Sequence, residues 1–187
     1  MRITKRKLKS LIRKQLLEQY YRLSHDFKDG KGPVYAHKHR NPDGSEGGWV
    51  ADTATVASTA TVEELAKVGG NAKVEYEALV ARRAKITGNA KMTNGARLGG
   101  DAHVSGNASV ASMATITDNA KVSGNARIEG SALIVGNAEI SGNARIRQSA
   151  FVHDAKIDGE AIIAGNAHVS GNIKISDNAK VSGNARI

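Results

Sequence analysis

The chain has 187 residues, with 27 Lys and Arg against 18 Asp and Glu, a formal net charge of +9, 20 Gly, two Pro, seven aromatic residues and no Cys. Without Cys there is neither a disulfide scaffold nor a thiolate zinc site, and a reducing compartment is the expected setting. No run approaches 18 apolar residues, so no membrane partner is predicted, and so few aromatics rule out a core filled in the usual way by large rings.

The charge is unevenly placed. Residues 1–48 carry 12 basic and 5 acidic residues, whereas residues 49–187 carry 15 and 13. Five of the seven aromatics (Tyr20, Tyr21, Phe27, Tyr35 and Trp49) also lie in the first 49 residues. The first element, residues 1–23, is a basic arm whose only acid is Glu18. Because it opens into further charge and not into an apolar stretch, no secretory leader is predicted. Leu8, Leu11, Ile12, Leu16, Tyr20 and Leu23 recur at three- and four-residue intervals, which predicts an amphipathic helix with Thr4 as its cap. Lys5, Arg6 and Lys7 fall in its first turn, where cations oppose the helix dipole by about 0.3–1 kcal/mol each. Together with Lys9, Arg13 and Lys14 they make the arm a candidate docking element for a protein partner or for nucleic acid. Residues 24–48 have no net charge, and with Asp29-Gly30-Lys31-Gly32-Pro33 and Asn41-Pro42-Asp43-Gly44 they read as an irregular connector or cap. On this reading His37-Lys38-His39-Arg40 belongs to a loop.

From residue 49 to residue 187 the chain is a repeat. Laid out in sixes from Val50, every sixth residue to Val152 is Val, Ile, Leu or Met; after the five-residue unit 152–156 the register resumes at Ile157 and runs to Ile187. After Val50, Ala stands two positions before each aliphatic except at Ile173, and Gly-Asn commonly precedes the Ala, as at Gly88-Asn89, Gly124-Asn125 and Gly165-Asn166. A period of six suits neither an α-helix nor simple strand alternation. It predicts an all-β solenoid with a short strand and a corner per unit, and three units per triangular coil of about 18 residues. Ala and the aliphatic point inward, the residue between them points outward, and Gly-Asn takes the corner, where positive φ is tolerated. About seven and a half coils stacked ~4.8 Å apart give a rod of roughly 36 Å.

Units such as Val-Ser-Gly-Asn-Ala-Arg (122–127) and Ile-Thr-Gly-Asn-Ala-Lys (86–91) resemble the hexapeptide repeat of left-handed parallel β-helix proteins, and Gly47-Gly48-Trp49-Val50 looks like the lead-in to their first coil. The resemblance implies left-handed coils; the period alone also permits a right-handed triangular solenoid. The family includes acyltransferases, gamma-class carbonic anhydrases, and phage and bacterial members of unknown role. An acyltransferase-like enzyme would call for a loop inserted in the repeat, a catalytic His at a subunit boundary and a C-terminal helix. Between Val50 and Ile187 no unit is lengthened, and His103, His153 and His168 lack the spacing of a shared metal site; they are expected to be solvated surface residues. No catalytic residue, cofactor or metal is therefore predicted. The opening residues 1–13 are similar to a short basic leader found on proteins of tailed phages.

Outward residues three units apart share a face. Two faces are largely Lys and Arg: the first runs from Lys67 to Lys174 and the second from Thr55 to Lys180. The third carries Leu79, Arg97, Thr115, Leu133, Phe151 and His168, and its apolar members predict self-association, with a homotrimer as the expected form. The last coil presents an unpaired strand edge that solenoids normally cover. The sequence thus points to a structural or assembly protein with a β-helical rod and a basic arm, expected as a capsid- or tail-associated component of a phage virion. The alternatives are an acyltransferase-like enzyme and a nucleic-acid binder acting through the arm.

Overall fold

The computed structural model describes residues 5–21 and 23–187. Helix α1 spans Lys5–Tyr21, and three antiparallel strands follow: β1 (Leu23–Asp26), β2 (Pro33–Arg40) and β3 (Glu46–Ala51). Strand β3 then pairs in parallel with Lys67–Val68, and the chain winds onward as a parallel β-solenoid of about seven turns. Its first face is a ten-stranded sheet that includes β1–β3; its second has eight strands, from Thr55–Val56 to Lys180–Val181; its third has seven, from Thr61–Val62 to His168–Ser170. Val68 pairs with Ile86 and Val74 with Met92, so one coil takes 18 residues.

The inward residues build one continuous core. The Ala column and the Val, Ile, Leu and Met columns are almost completely buried from Ala60 to Val169. Each such aliphatic side chain contributes roughly 1.5–3 kcal/mol of burial before entropy is subtracted. Outward residues alternate with them, as strand geometry requires.

Corners decide how closely coils stack. Gly106 and Gly124 have φ of +67°, and a Cβ at Gly124 would lie 2.9 Å from both N and O of Gly142 in the next coil. Glycine therefore serves here through conformation and close approach together. Beside these corners runs an amide ladder: Asn71, Asn89, Asn107 and Asn125 each donate Nδ2–H to Oδ1 of the Asn one coil on, at 3.1 Å, ending at Asn143. Where a corner residue at positive φ has a side chain, that side chain can hold the next coil. Asp118 Oδ2 accepts the Gly136 N–H (3.0 Å), and Gln148 Oε1 accepts that of Gly165 (2.6 Å).

One coil is a residue shorter, since Ile140 pairs with Ile157. The loss falls in the corner after Val152. There the Asp154 carboxylate, in place of a backbone carbonyl, accepts the Asn137 N–H at 2.7 Å. That bond, ahead of the neighbouring His153, holds the Asp154 carboxyl below the usual carboxylate range.

Residues 24–48 are not the irregular connector expected from their composition: β2, most of β1 and half of β3 lie within them, and His37-Lys38-His39-Arg40 is strand, not loop. The segment 29–32 is irregular as read, with Gly30 and Gly32 at positive φ, and so is the turn at Asn41-Pro42-Asp43-Gly44, closed by the Gly44 N–H donating to the Asn41 carbonyl (2.9 Å). One side of the β2–β3 hairpin grips the edge of the first coil. The buried His39 Nε2–H donates to the Ala60 carbonyl (3.1 Å), and Asn41 Oδ1 accepts the Val62 N–H (3.0 Å). Gly47 and Gly48 pass so close that a Cβ would run into the Val62 and Ala66 carbonyls. On the other side, His25 from β1 stacks on Trp49 (4.7 Å, 12° between planes), Lys38 Nζ lies 5.1 Å from the Trp49 ring centre, and Phe27, 2% exposed, covers Gly69.

Candidate interaction surfaces

In α1 the side chains of residues 5–15 are all exposed. Leu8, Leu11 and Ile12 lie at i, i+3 and i+4, hence on one face, and each is 46–49% exposed. Lys5, Arg6, Lys7, Lys9, Arg13 and Lys14 share the same three turns, and no acid stands in the first. The helix thus offers an apolar stripe edged with cations. Thr4, the expected cap, lies outside the described residues, as do the side chains of Leu16, Tyr20 and Leu23.

The third face is assembled in the expected order. Leu79 pairs with Arg97, Arg97 with Thr115, Thr115 with Leu133, Leu133 with Phe151 and Phe151 with His168. The Phe151 and His168 rings are 4.5 Å apart and tilted, and His153 lies 6.2 Å from Phe151. Leu79, Leu133 and Phe151 are half-buried because neighbours above and below cover their flanks, while Arg97 is exposed. Reading strand positions alone missed the more exposed apolar groups, which stand at corners bordering this face. Leu65 is 62% exposed at one corner, and Tyr76 (63%) and Met113 (67%) at the other. Tyr76 and Met113 are joined through the intervening Asn94-Gly95, whose Gly95 N–H donates to the Tyr76 carbonyl and whose Asn94 carbonyl accepts from Met113. Their signal in the sequence is large apolar residues where the repeat prefers Gly or Asn.

The histidines of the solenoid are not simply solvated. His103 is half-buried with Nε2 2.8 Å from Thr87 Oγ1. Burial, then Lys85 and Lys121, push its pKa below the ordinary value against the opposing Asp29 carboxylate. His153 Nε2 lies 3.2 Å from Asp154 Oδ2, and His168 packs on Phe151. Among the described residues no three His, Asp or Glu side chains converge in a way that could hold a metal ion.

Charges on the first face are partly neutralised along the rod. Glu139 lies 3.8 Å from Lys121 and 3.6 Å from Lys156, and Lys174 is 3.5 Å from Asp158. At the corner between third and first faces Arg83 grips Asp101 through two bonds of 2.7 and 2.6 Å, which lowers the Asp101 pKa and raises that of Arg83. Such exposed pairs set local order more than global stability. Among the described residues no helix is long and apolar enough to cross a membrane. No protein-family model matches the chain, and no curated protein matches it.

Proposed function

We propose that the protein is a structural or assembly component without catalytic activity, a rigid β-solenoid rod fixed to a larger particle by its basic arm. A capsid- or tail-associated place in a phage virion fits best, given the similarity of residues 1–13 to tailed-phage leaders. The observation that carries the reading is helix α1. It exposes Leu8, Leu11 and Ile12 together with six cations, and a helix so composed gains stability by placing its stripe in a partner. The third face, bordered by Leu65, Tyr76 and Met113, supplies a second contact, between copies of the chain in a homotrimer.

The test is cosedimentation of the full chain with particles purified from the cells that produce it, with mass spectrometry of the pellet. A Lys5→Glu/Arg6→Glu/Lys9→Glu/Arg13→Glu variant with an unchanged circular dichroism spectrum is expected to stay in the supernatant. Equal pelleting of both proteins overturns the anchoring role.

The row of cations also favours a second reading, nucleic-acid binding through the arm. A gel shift over a salt series separates the two, since phosphate contacts weaken steeply as salt rises.

A further inference from the structure

The second face holds a trough that none of the roles above uses. It runs along the rod axis between the amide ladder and the outward strand row, and Asn107, Asn125 and Asn143 form one wall. Arg127 and Arg145, register neighbours on adjacent coils, form the other, and Glu160 and Ile162 close its lower end. Its volume is about 580 Å³. Four successive coils contribute, so it extends about 14 Å along the axis.

Three features of its chemistry narrow the ligand. First, Arg127 and Arg145 make no ion pair and no side-chain hydrogen bond within the described residues, whereas Lys121, Lys156, Lys174, Lys91 and Arg83 all have carboxylate partners. Two free guanidinium forks side by side suit planar carboxylates, which they bind two bonds at a time. Second, Asn107 and Asn125 each spend one side-chain N–H and one lone pair on their ladder neighbours, and Asn143, at the end, spends one lone pair only, so every amide of the wall retains at least one N–H and one lone pair. A row offering a donor and an acceptor per coil complements hydroxyl groups, which do both. Phosphate oxygens only accept, and the Asn Oδ1 atoms would face them unfavourably. Third, Glu160 accepts from a hydroxyl and, because it repels any anion, leaves the carboxylates to the Arg127–Arg145 stretch, while Ile162 gives an apolar patch for the carbon face of a ring.

We infer that this trough binds an acidic oligosaccharide, a chain of sugars bearing carboxylates, with Arg127 and Arg145 taking the carboxylates and Asn107, Asn125 and Asn143 the hydroxyls. The inference is independent of the anchoring role, which involves α1 and not the second face.

The experiment titrates tetragalacturonate into the full chain by calorimetry at low ionic strength, with maltotetraose as the neutral counterpart and decathymidylate as a phosphate polymer. Tetragalacturonate is expected to bind. Arg145→Gln, Arg127→Gln and Asn125→Ala each weaken it about tenfold, the loss of a charge-assisted or neutral hydrogen-bond set in a shared site. All three positions are exposed and outside the core, and circular dichroism melting verifies that the variants fold. Lys5→Gln/Arg6→Gln in the arm leaves binding unchanged. Three results overturn the assignment: no binding of tetragalacturonate, binding indifferent to Arg127 and Arg145, or equal loss of decathymidylate binding on Arg145→Gln, which would make the trough a phosphate site.

Discussion

The heptapeptide Val-Ser-Gly-Asn-Ala-Arg-Ile occurs at 122–128 and again at 181–187, so one substitution can be placed in identical local sequence with and without a coil packed below it. Gly124 and Gly183 share φ of +67°, but a Cβ at Gly124 meets Gly142 N and O at 2.9 Å, and one at Gly183 meets nothing within 4 Å. Alanine at either position incurs the left-handed conformation, about 1 kcal/mol. At Gly124 it also forces two coils apart by several tenths of an ångström. The Asn125 N–H to Gly142 carbonyl bond (2.8 Å) and the Asn125–Asn143 amide bond (3.1 Å) resist that separation. Overpacking of this kind adds about 1–3 kcal/mol. Gly124→Ala should therefore cost about 3 kcal/mol and Gly183→Ala about 1 kcal/mol. Gly124→Asp should be milder than Gly124→Ala, because its carboxylate can accept the Gly142 N–H as Asp118 accepts that of Gly136, returning about 1 kcal/mol. Urea denaturation followed by far-ultraviolet circular dichroism reads the midpoints. Equal losses for the two alanine variants, or Asp at 124 no better than Ala, would refute close stacking as the reason for glycine at these corners.

Other outcomes follow from the same geometry. Val122→Lys places an ammonium in a fully buried column and should remove several kcal/mol, melting the neighbouring coils; an unchanged melting curve would mean that the inward register is wrong. Leu133→Glu/Phe151→Glu should lower the particle mass seen by light scattering, and an unaltered mass sinks self-association through the third face. His103 is held below its ordinary pKa in the fold, so the unfolded chain takes up that proton at higher pH. Its contribution is thus fully present above about pH 6.5 and is lost as the pH falls from there through the folded value. Thermal melts across this range should fall less steeply for His103→Gln than for the parent, and parallel pH profiles would count against the burial argument.

Most of the solenoid was legible because in a stacked coil distance along the chain is distance in space. A period of six therefore placed Lys67 beside Lys85 and Leu133 beside Phe151 directly. Residues 24–48 were not legible in this way. His37 and His39 sit among charges that suggest a loop, and their strand is fixed by contacts distant in sequence, such as His39 with Ala60. His103 looked like any outward residue of the repeat, since its surroundings include Thr87 in the preceding coil and the charge of Asp29, far away in sequence. The candidate surfaces were read from strand positions only, so the corner residues Leu65, Tyr76 and Met113 escaped. The trough of the second face has no separate signal in the sequence either, because Asn beside Gly in each unit already satisfies turn chemistry. What the period cannot reveal is which outward cations have already found a carboxylate, and that distinction sets Arg127 and Arg145 apart from Lys121 and Lys156.

The short coil bears on how such a rod can change over generations. A deletion inside a strand would turn every following side chain to the opposite surface and expose the aliphatic columns. The deletion after Val152 does no such thing: Ile140 still stands over Ile157, because a carboxylate at Asp154 reaches where a main-chain oxygen would have been. Corners are thus the places where single residues can be gained or lost without a frameshift in the packing. A lineage can edit this molecule letter by letter at its edges, but along its walls only in whole hexapeptides.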